Sequence, residues 1–218
     1  MPSPCLPLVF SVPTTRPQPR QVPLDQAPRA VRDLIQSRGT TVVAITGPVG
    51  SGKSHLARLL SPCVLSTDDY LPDYDTLAYE DRDDPRFADH ARLIADLASL
   101  RAARPTRVPS WSFQTHSRIG EREVAPPESP AGLIVVEGIH ALHDALLAHV
   151  DLGVFVEAAS AVRWQRWEHL EATGQRGWGV EVAHQFFHSV AEPTFARYEE
   201  TYRGRAHLIV TNHHGVPT

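Results

Sequence analysis

The sequence predicts an α/β fold: a parallel five-stranded sheet flanked by helices on both faces. Three observations carry that reading. Five short apolar runs, Thr41–Thr46, Cys63–Ser66, Leu133–Val136, Leu152–Val156 and Ala206–Val210, alternate with stretches of helical periodicity. The strongest of these runs are β-branched and continuously apolar, as strands buried on both faces are. The first run leads directly into Gly47-Pro48-Val49-Gly50-Ser51-Gly52-Lys53-Ser54, a complete G-x-x-x-x-G-K-[ST] pattern between a strand and a helix.

Taken in chain order, residues 1–28 hold eight of the nineteen prolines and read as an extended arm, with 29–218 as a single domain. Ala27–Ser37 carries Ala30, Val31, Leu34 and Ile35 on one face and reads as a short helix stopped by Gly39. Strand Thr41–Thr46 then enters the glycine loop, and Lys53–Leu60 is a helix with Leu56, Leu59 and Leu60 at helical spacing. The chain contains twenty arginines and one lysine, and that lysine is Lys53. A compact ammonium on a flexible stem can reach over a phosphate chain, while the loop glycines let backbone N–H groups turn inward as an anion cradle. The pattern therefore predicts a P-loop NTPase fold that binds a nucleoside triphosphate, with Ser54 supplying a hydroxyl to Mg²⁺.

Strand Cys63–Ser66 ends in Thr67-Asp68-Asp69-Tyr70, and Leu133–Val136 ends in Glu137. Ligands in parallel sheets bind beyond the carboxyl ends of strands, so Asp68 and Glu137 are the candidate acids for proton transfer and metal binding. Between them lie an irregular acidic stretch, Pro72–Pro85, an amphipathic helix, Ala88–Ala103, and a long proline- and charge-rich excursion, 104–131. A helix over Ala141–Ala148 precedes strand Leu152–Val156. Helical patterns then occupy 160–172, 179–190 and 193–203, the first two forming a lid over roughly 160–190. Arg163 and Arg166, three apart, share one helix face and can point to one phosphate cluster. Trp164, Trp167 and Trp178 suggest a lid that packs when it closes. The pair His213-His214 lacks a third metal ligand and reads as a frayed tail.

Composition narrows the function classes. A net charge of −4 argues against a nucleic-acid partner. Two cysteines, Cys5 and Cys63, are too few for a disulfide framework. No segment reaches the roughly 20 apolar residues of a membrane span, so the expected location is the cytoplasm. With no second lysine, the Asn-Lys-x-Asp guanine-reading segment of Ras-type GTPases is absent, as is the Ser-Gly-Gly-Gln signature of transporter ATPases.

These residues resemble the uridine kinase and phosphoribulokinase branch of P-loop kinases. Leu65-Ser-Thr-Asp-Asp-Tyr70 is similar to the family segment whose aspartate, here Asp68, is the catalytic base. Asp84-Pro85 with Asp89 resembles a stretch whose last aspartate holds the nucleoside ribose. Pro109-Ser-Trp-Ser-Phe-Gln-Thr-His-Ser-Arg118 resembles Pro-x-Tyr-Asp-Phe-x-x-His-Ser-Arg, and Ile134-Val-Val-Glu-Gly-Ile139 the Val-Glu-Gly-Ile strand end. The resemblance implies ATP as donor, Mg²⁺ held by Ser54 and Glu137, and the 5′-hydroxyl of uridine or cytidine as acceptor. It also implies a substrate site of Asp89, Trp111, His116 and Arg118, with Arg163, Arg166 and Arg176 neutralising the transferred phosphoryl group. Three departures concern the acceptor pocket or lid. Trp111-Ser112 replaces Tyr-Asp, Leu170-Glu171 stands where Arg-Asp is usual, and Gln185 sits one residue off the usual spacing to Pro193. Other expectations remain open: an acceptor resembling pantothenate or a sugar, an ATP-sensing module acting through the proline arm, and assembly as a homo-oligomer.

Overall fold

Strand pairing organises the molecule, a computed structural model that describes residues 18–36, 41–129 and 132–213. In chain order the elements are β1 (Arg20–Pro23), α1 (Ala27–Ile35), β2 (Thr41–Thr46), α2 (Lys53–Leu60), β3 (Val64–Ser66) and α3 (His90–Arg101). They continue with β4 (Thr106–Ser112), β5 (Ser117–Val124), β6 (Leu133–Glu137), β7 (Leu152–Glu157), α4 (Ser160–Ala172), α5 (Val180–Phe186), α6 (Glu192–Arg205) and β8 (Leu208–Thr211). Six strands form one parallel sheet in the order β1-β8-β7-β2-β6-β3.

The sheet has one strand more than the five expected. Arg20–Pro23, assigned to the proline arm, adds to the edge beside β8 and buries only Val22. A four-residue segment with one inward side chain leaves almost no periodic signal, and its terminal Pro23 is tolerated because it lies on an edge. The arm up to residue 17, the stop at Gly39 and His214 lie outside the described residues.

Alternate residues of the central strands feed two cores, as the two-residue side-chain period requires. Val42, Ala44, Ile134 and Val136 pack with Leu93 and Leu97 of α3 and with Phe195 and Tyr202 of α6. Val43, Ile45, Val135 and Val154 pack with Val31 of α1 and Leu56 of α2. A third cluster stands apart from the sheet and includes Tyr74, Trp167, Phe186 and Phe187, so the segment after β3 packs on the late helices.

Two local expectations change. The excursion 104–131 contains a hairpin, β4 paired antiparallel with β5, with an irregularity at Ser110/Trp111. The largely exposed β5 shows no apolar alternation, which is why periodicity misses it. The helix expected over Ala141–Ala148 is instead a 3₁₀ segment, Asp144–His149, introduced by His143. Between α5 and α6 the chain makes a π-helical turn, Phe187–Ala191.

Candidate active site

Register brings the chemistry together. β6 lies between β2 and β3, and Glu137 is opposite both Ile45 and Ser66. The segments that follow those two strands, the glycine loop and Asp68, therefore flank the Glu137 carboxylate. Gly52 caps α2 in the left-handed region, at φ 103°, which favours glycine. From this cap Lys53 and Ser54 begin the helix, whose N-terminal amides favour an anion. Lys53 Nζ donates to the Pro48 carbonyl across the loop at 3.0 Å, and Ser54 Oγ donates to Glu137 Oε2 at 3.1 Å.

A cavity of ≈ 310 Å³ collects Lys53, Ser54, Asp68, Asp83, His116 and Arg176 in its wall. A larger one, ≈ 590 Å³, touches the loop at Pro48. Its principal charges are spent on each other, Arg163 with Glu192 and Arg203 with Glu157, and it contains none of the acids or the lysine just described. The chemistry belongs to the smaller cavity.

Burial, assisted by Glu137 and Asp83, pushes the Asp68 carboxyl up to about 7, against the pull of Lys53 and Arg176. Burial also lowers the Lys53 ammonium, with the Glu137 and Asp68 carboxylates opposing the shift. A carboxylate poised near neutrality is suited to accept a hydroxyl proton. The Ser54 hydroxyl and Glu137 carboxylate form a hard-oxygen pair of the kind Mg²⁺ takes from protein, the remaining positions being filled by water and phosphate. Among the described residues no group of three or more His, Cys, Asp or Glu offers an alternative metal site. The residues present thus fit a magnesium-bound triphosphate.

The loop residues Val49, Gly50 and Gly52 line the cavity with Arg166. Gly47 and Ser51 support the loop from behind: a Cβ on Gly47 would meet the Val156 carbonyl at 2.1 Å, and Ser51 is fully buried. Arg176 lies between the Phe113 ring, 4.3 Å away, and the Trp167 ring, 4.8 Å away. His116 is buried at a positive φ of 51° and stacks on Trp178 at 3.9 Å. Burial, with Arg176 and Arg82 nearby, drives its pKa down to about 4, leaving a neutral imidazole.

Four expected site residues face elsewhere. Arg163 is held by Glu192 through two hydrogen bonds of 2.5 and 2.6 Å, so it does not share a phosphate cluster with Arg166. Arg118 braces the segment after β3 through the carbonyls of Leu71 and Tyr70. Asp89 is exposed and caps α3, accepting from the Arg92 amide at 3.0 Å. Trp111 packs against Tyr74 at 5.1 Å, outside the cavity wall.

Besides Asp68 and Glu137, the cavity wall contains a third acid, Asp83, to which the sequence assigns no role. Its Oδ1 accepts from the Tyr74 hydroxyl at 2.8 Å, and burial raises its pKa. It lies six residues before Asp89 in the same stretch, and no periodicity separates the two. Its neighbour Asp84 is bound to Arg86 and Arg197. Phe113 and Tyr74, to which the sequence assigns no role, also line the cavity, as does Trp178, expected only to pack the lid.

Comparison with known proteins identifies the family. The family model described as "Phosphoribulokinase / Uridine kinase family" matches residues 73–217. The chain is 28% identical over 184 residues to a uridine kinase of Staphylococcus epidermidis, covering 78% of this chain and 87% of that one. It is 33% identical over 137 residues to uridine-cytidine kinase C of Dictyostelium discoideum, 60% of this chain but only 30% of that much longer protein. A solved structure described as a possible uridine kinase from Bacillus stearothermophilus superposes with a TM-score of 0.62 at 19% identity, over 86% of this chain and 96% of that one.

Proposed function

The chain belongs to the phosphoribulokinase / uridine kinase family of P-loop kinases, and on that premise we propose that it transfers the γ-phosphoryl group of ATP to the 5′-hydroxyl of uridine or cytidine. The observation that carries this reading is the meeting of Lys53, the Ser54–Glu137 pair, Asp68 and Arg176 around one cavity.

Each residue then has a task set by its chemistry. The loop amides and Lys53 hold the β- and γ-phosphates. Ser54 and Glu137 hold Mg²⁺, which when bound offsets charge on the phosphate oxygens. Asp68 accepts the proton of the acceptor hydroxyl as its oxygen attacks. Arg176 and Arg166, both on the cavity wall, offset charge developing on the transferred group, the effect that dominates this chemistry. Asp83, next to Tyr74, is placed to accept hydrogen bonds from acceptor hydroxyls.

A second reading rests on Trp178, whose stack on His116 covers the ring expected to read a base edge. With Trp111 outside the wall, the cavity suits a smaller polyhydric alcohol. An ADP-release assay against nucleosides, sugars and pantothenate decides between the two. Uridine or cytidine is expected to raise the rate at least about 100-fold over hydrolysis. A panel in which only a sugar or pantothenate does so would replace the pyrimidine reading with the second.

A further inference from the structure

Asn212, the first residue after β8, bonds to both the glycine loop and the lid. Its Nδ2 donates to the Ser51 carbonyl at 2.8 Å. Its Oδ1 and its main-chain carbonyl each accept from Arg166 Nη2 at 3.1 Å. Arg166 closes the ring by donating from Nη1 to the Gly50 carbonyl at 2.8 Å. The Asn212 amide is itself tied to the end of β7, donating to the Glu157 carbonyl at 2.8 Å. The side chain is buried, and a Cβ on Gly52 would come within 2.4 Å of Nδ2.

The chemistry demands an amide here. One planar group must donate to a carbonyl and accept from a guanidinium at once, which neither a carboxylate nor an aliphatic side chain can do. A trans peptide carries its C=O and N–H on opposite sides. Holding the Ser51 carbonyl therefore fixes where the Gly52 N–H points, while holding the Gly50 carbonyl keeps the Ser51 N–H on the Pro48 carbonyl, to which it donates at 3.2 Å inside the loop. Asn212 holds the loop by the back of the Ser51–Gly52 peptide plane and keeps beside it Arg166, which holds the back of the Gly50–Ser51 plane. We propose that Asn212 is a positioning residue for phosphoryl transfer, setting the aim of the Gly52 amide and the place of Arg166 together. The proposal rests on the kinase reading above.

The test compares Asn212→Asp, Asn212→Ala, Arg166→Ala and the double alanine variant in the full-length protein. Magnesium-ATP affinity is measured by calorimetry, and KM and kcat by ADP release. Asn212→Asp keeps the grip on Arg166 but turns a carboxylate oxygen toward the Ser51 carbonyl. It should weaken ATP binding about 10-fold or more while leaving acceptor KM unchanged. Adding Asn212→Ala to Arg166→Ala should cost less than the product of the two single effects, because each variant breaks the same ring. ATP affinity of Asn212→Asp within about twofold of wild type, or single effects that multiply, overturns the proposal. Should Asn212→Ala fail to fold, the isosteric aspartate decides alone. Loss of the kinase reading shows separately, as wild-type protein that binds ATP without acceptor-stimulated turnover.

Discussion

Asp68 and Lys53 set opposite limbs of one pH profile. The base must be ionised to accept a proton, and its pKa is raised to about 7. Activity is therefore lost as pH falls through that value. Lys53 must be charged to hold phosphate, and its pKa is lowered to about 8. Activity is lost again as pH rises past it. A plot of kcat/KM from pH 5.5 to 9.5 should be a narrow bell whose two apparent values belong to the interacting pair. A profile flat across neutrality would reject Asp68 as the base. Asp68→Asn should keep ATP binding and lower kcat by about 10²- to 10⁴-fold, measured by single-turnover phosphoryl transfer.

At the scale of elements, the lid is docked on the β4–β5 hairpin. Gly177 N donates to the Phe113 carbonyl at 3.0 Å, and Gln114 Nε2 donates to the Gly174 carbonyl at 2.5 Å. A Cβ on Gly177 would lie 2.0 Å from the Gln114 carbonyl oxygen. Gly177→Ala should therefore hold the lid tip off the hairpin and carry Arg176 with it. The expected result is a fall of about 10-fold in kcat/KM for the acceptor with little change in global stability, because lids belong to the least stable part of a fold. Unchanged kinetics would show that this contact is not used in turnover. The π turn after α5 contributes to the same assembly, placing Phe187 fully buried 5.5 Å from the Arg163 guanidinium. There Arg163 joins α4 to Glu192 at the start of α6, a structural position rather than a cavity-facing one.

For the whole molecule, nucleotide binding should register as stability. A ligand bound only by the folded state at about 100 times its Kd adds about 2.7 kcal/mol. For a domain of this size that corresponds to a rise in Tm of roughly 5–10 °C. Magnesium-ATP should produce this shift in wild-type protein and lose most of it in Lys53→Met, which removes the only lysine in the chain. An equal shift in both would place the nucleotide elsewhere, the ≈ 590 Å³ cavity beside Pro48 being the other candidate.

The sequence by itself determined the parallel sheet, the phosphate loop after Thr46, and acids at the ends of β3 and β6. These signals are local: an apolar run, a glycine pattern and the residue that follows a strand are each written in a few consecutive positions. Tertiary structure alone decided which polar side chains reach the cavity. Asp83 rather than Asp89 enters it, and Arg166 and Arg176 line it while Arg163 turns to Glu192. Those choices depend on strand register and on how α4 docks against the loop, between residues more than a hundred positions apart. The same holds for β1 and β5, whose mostly exposed side chains leave little periodic trace, and whose pairing is fixed by backbone hydrogen bonds to a partner.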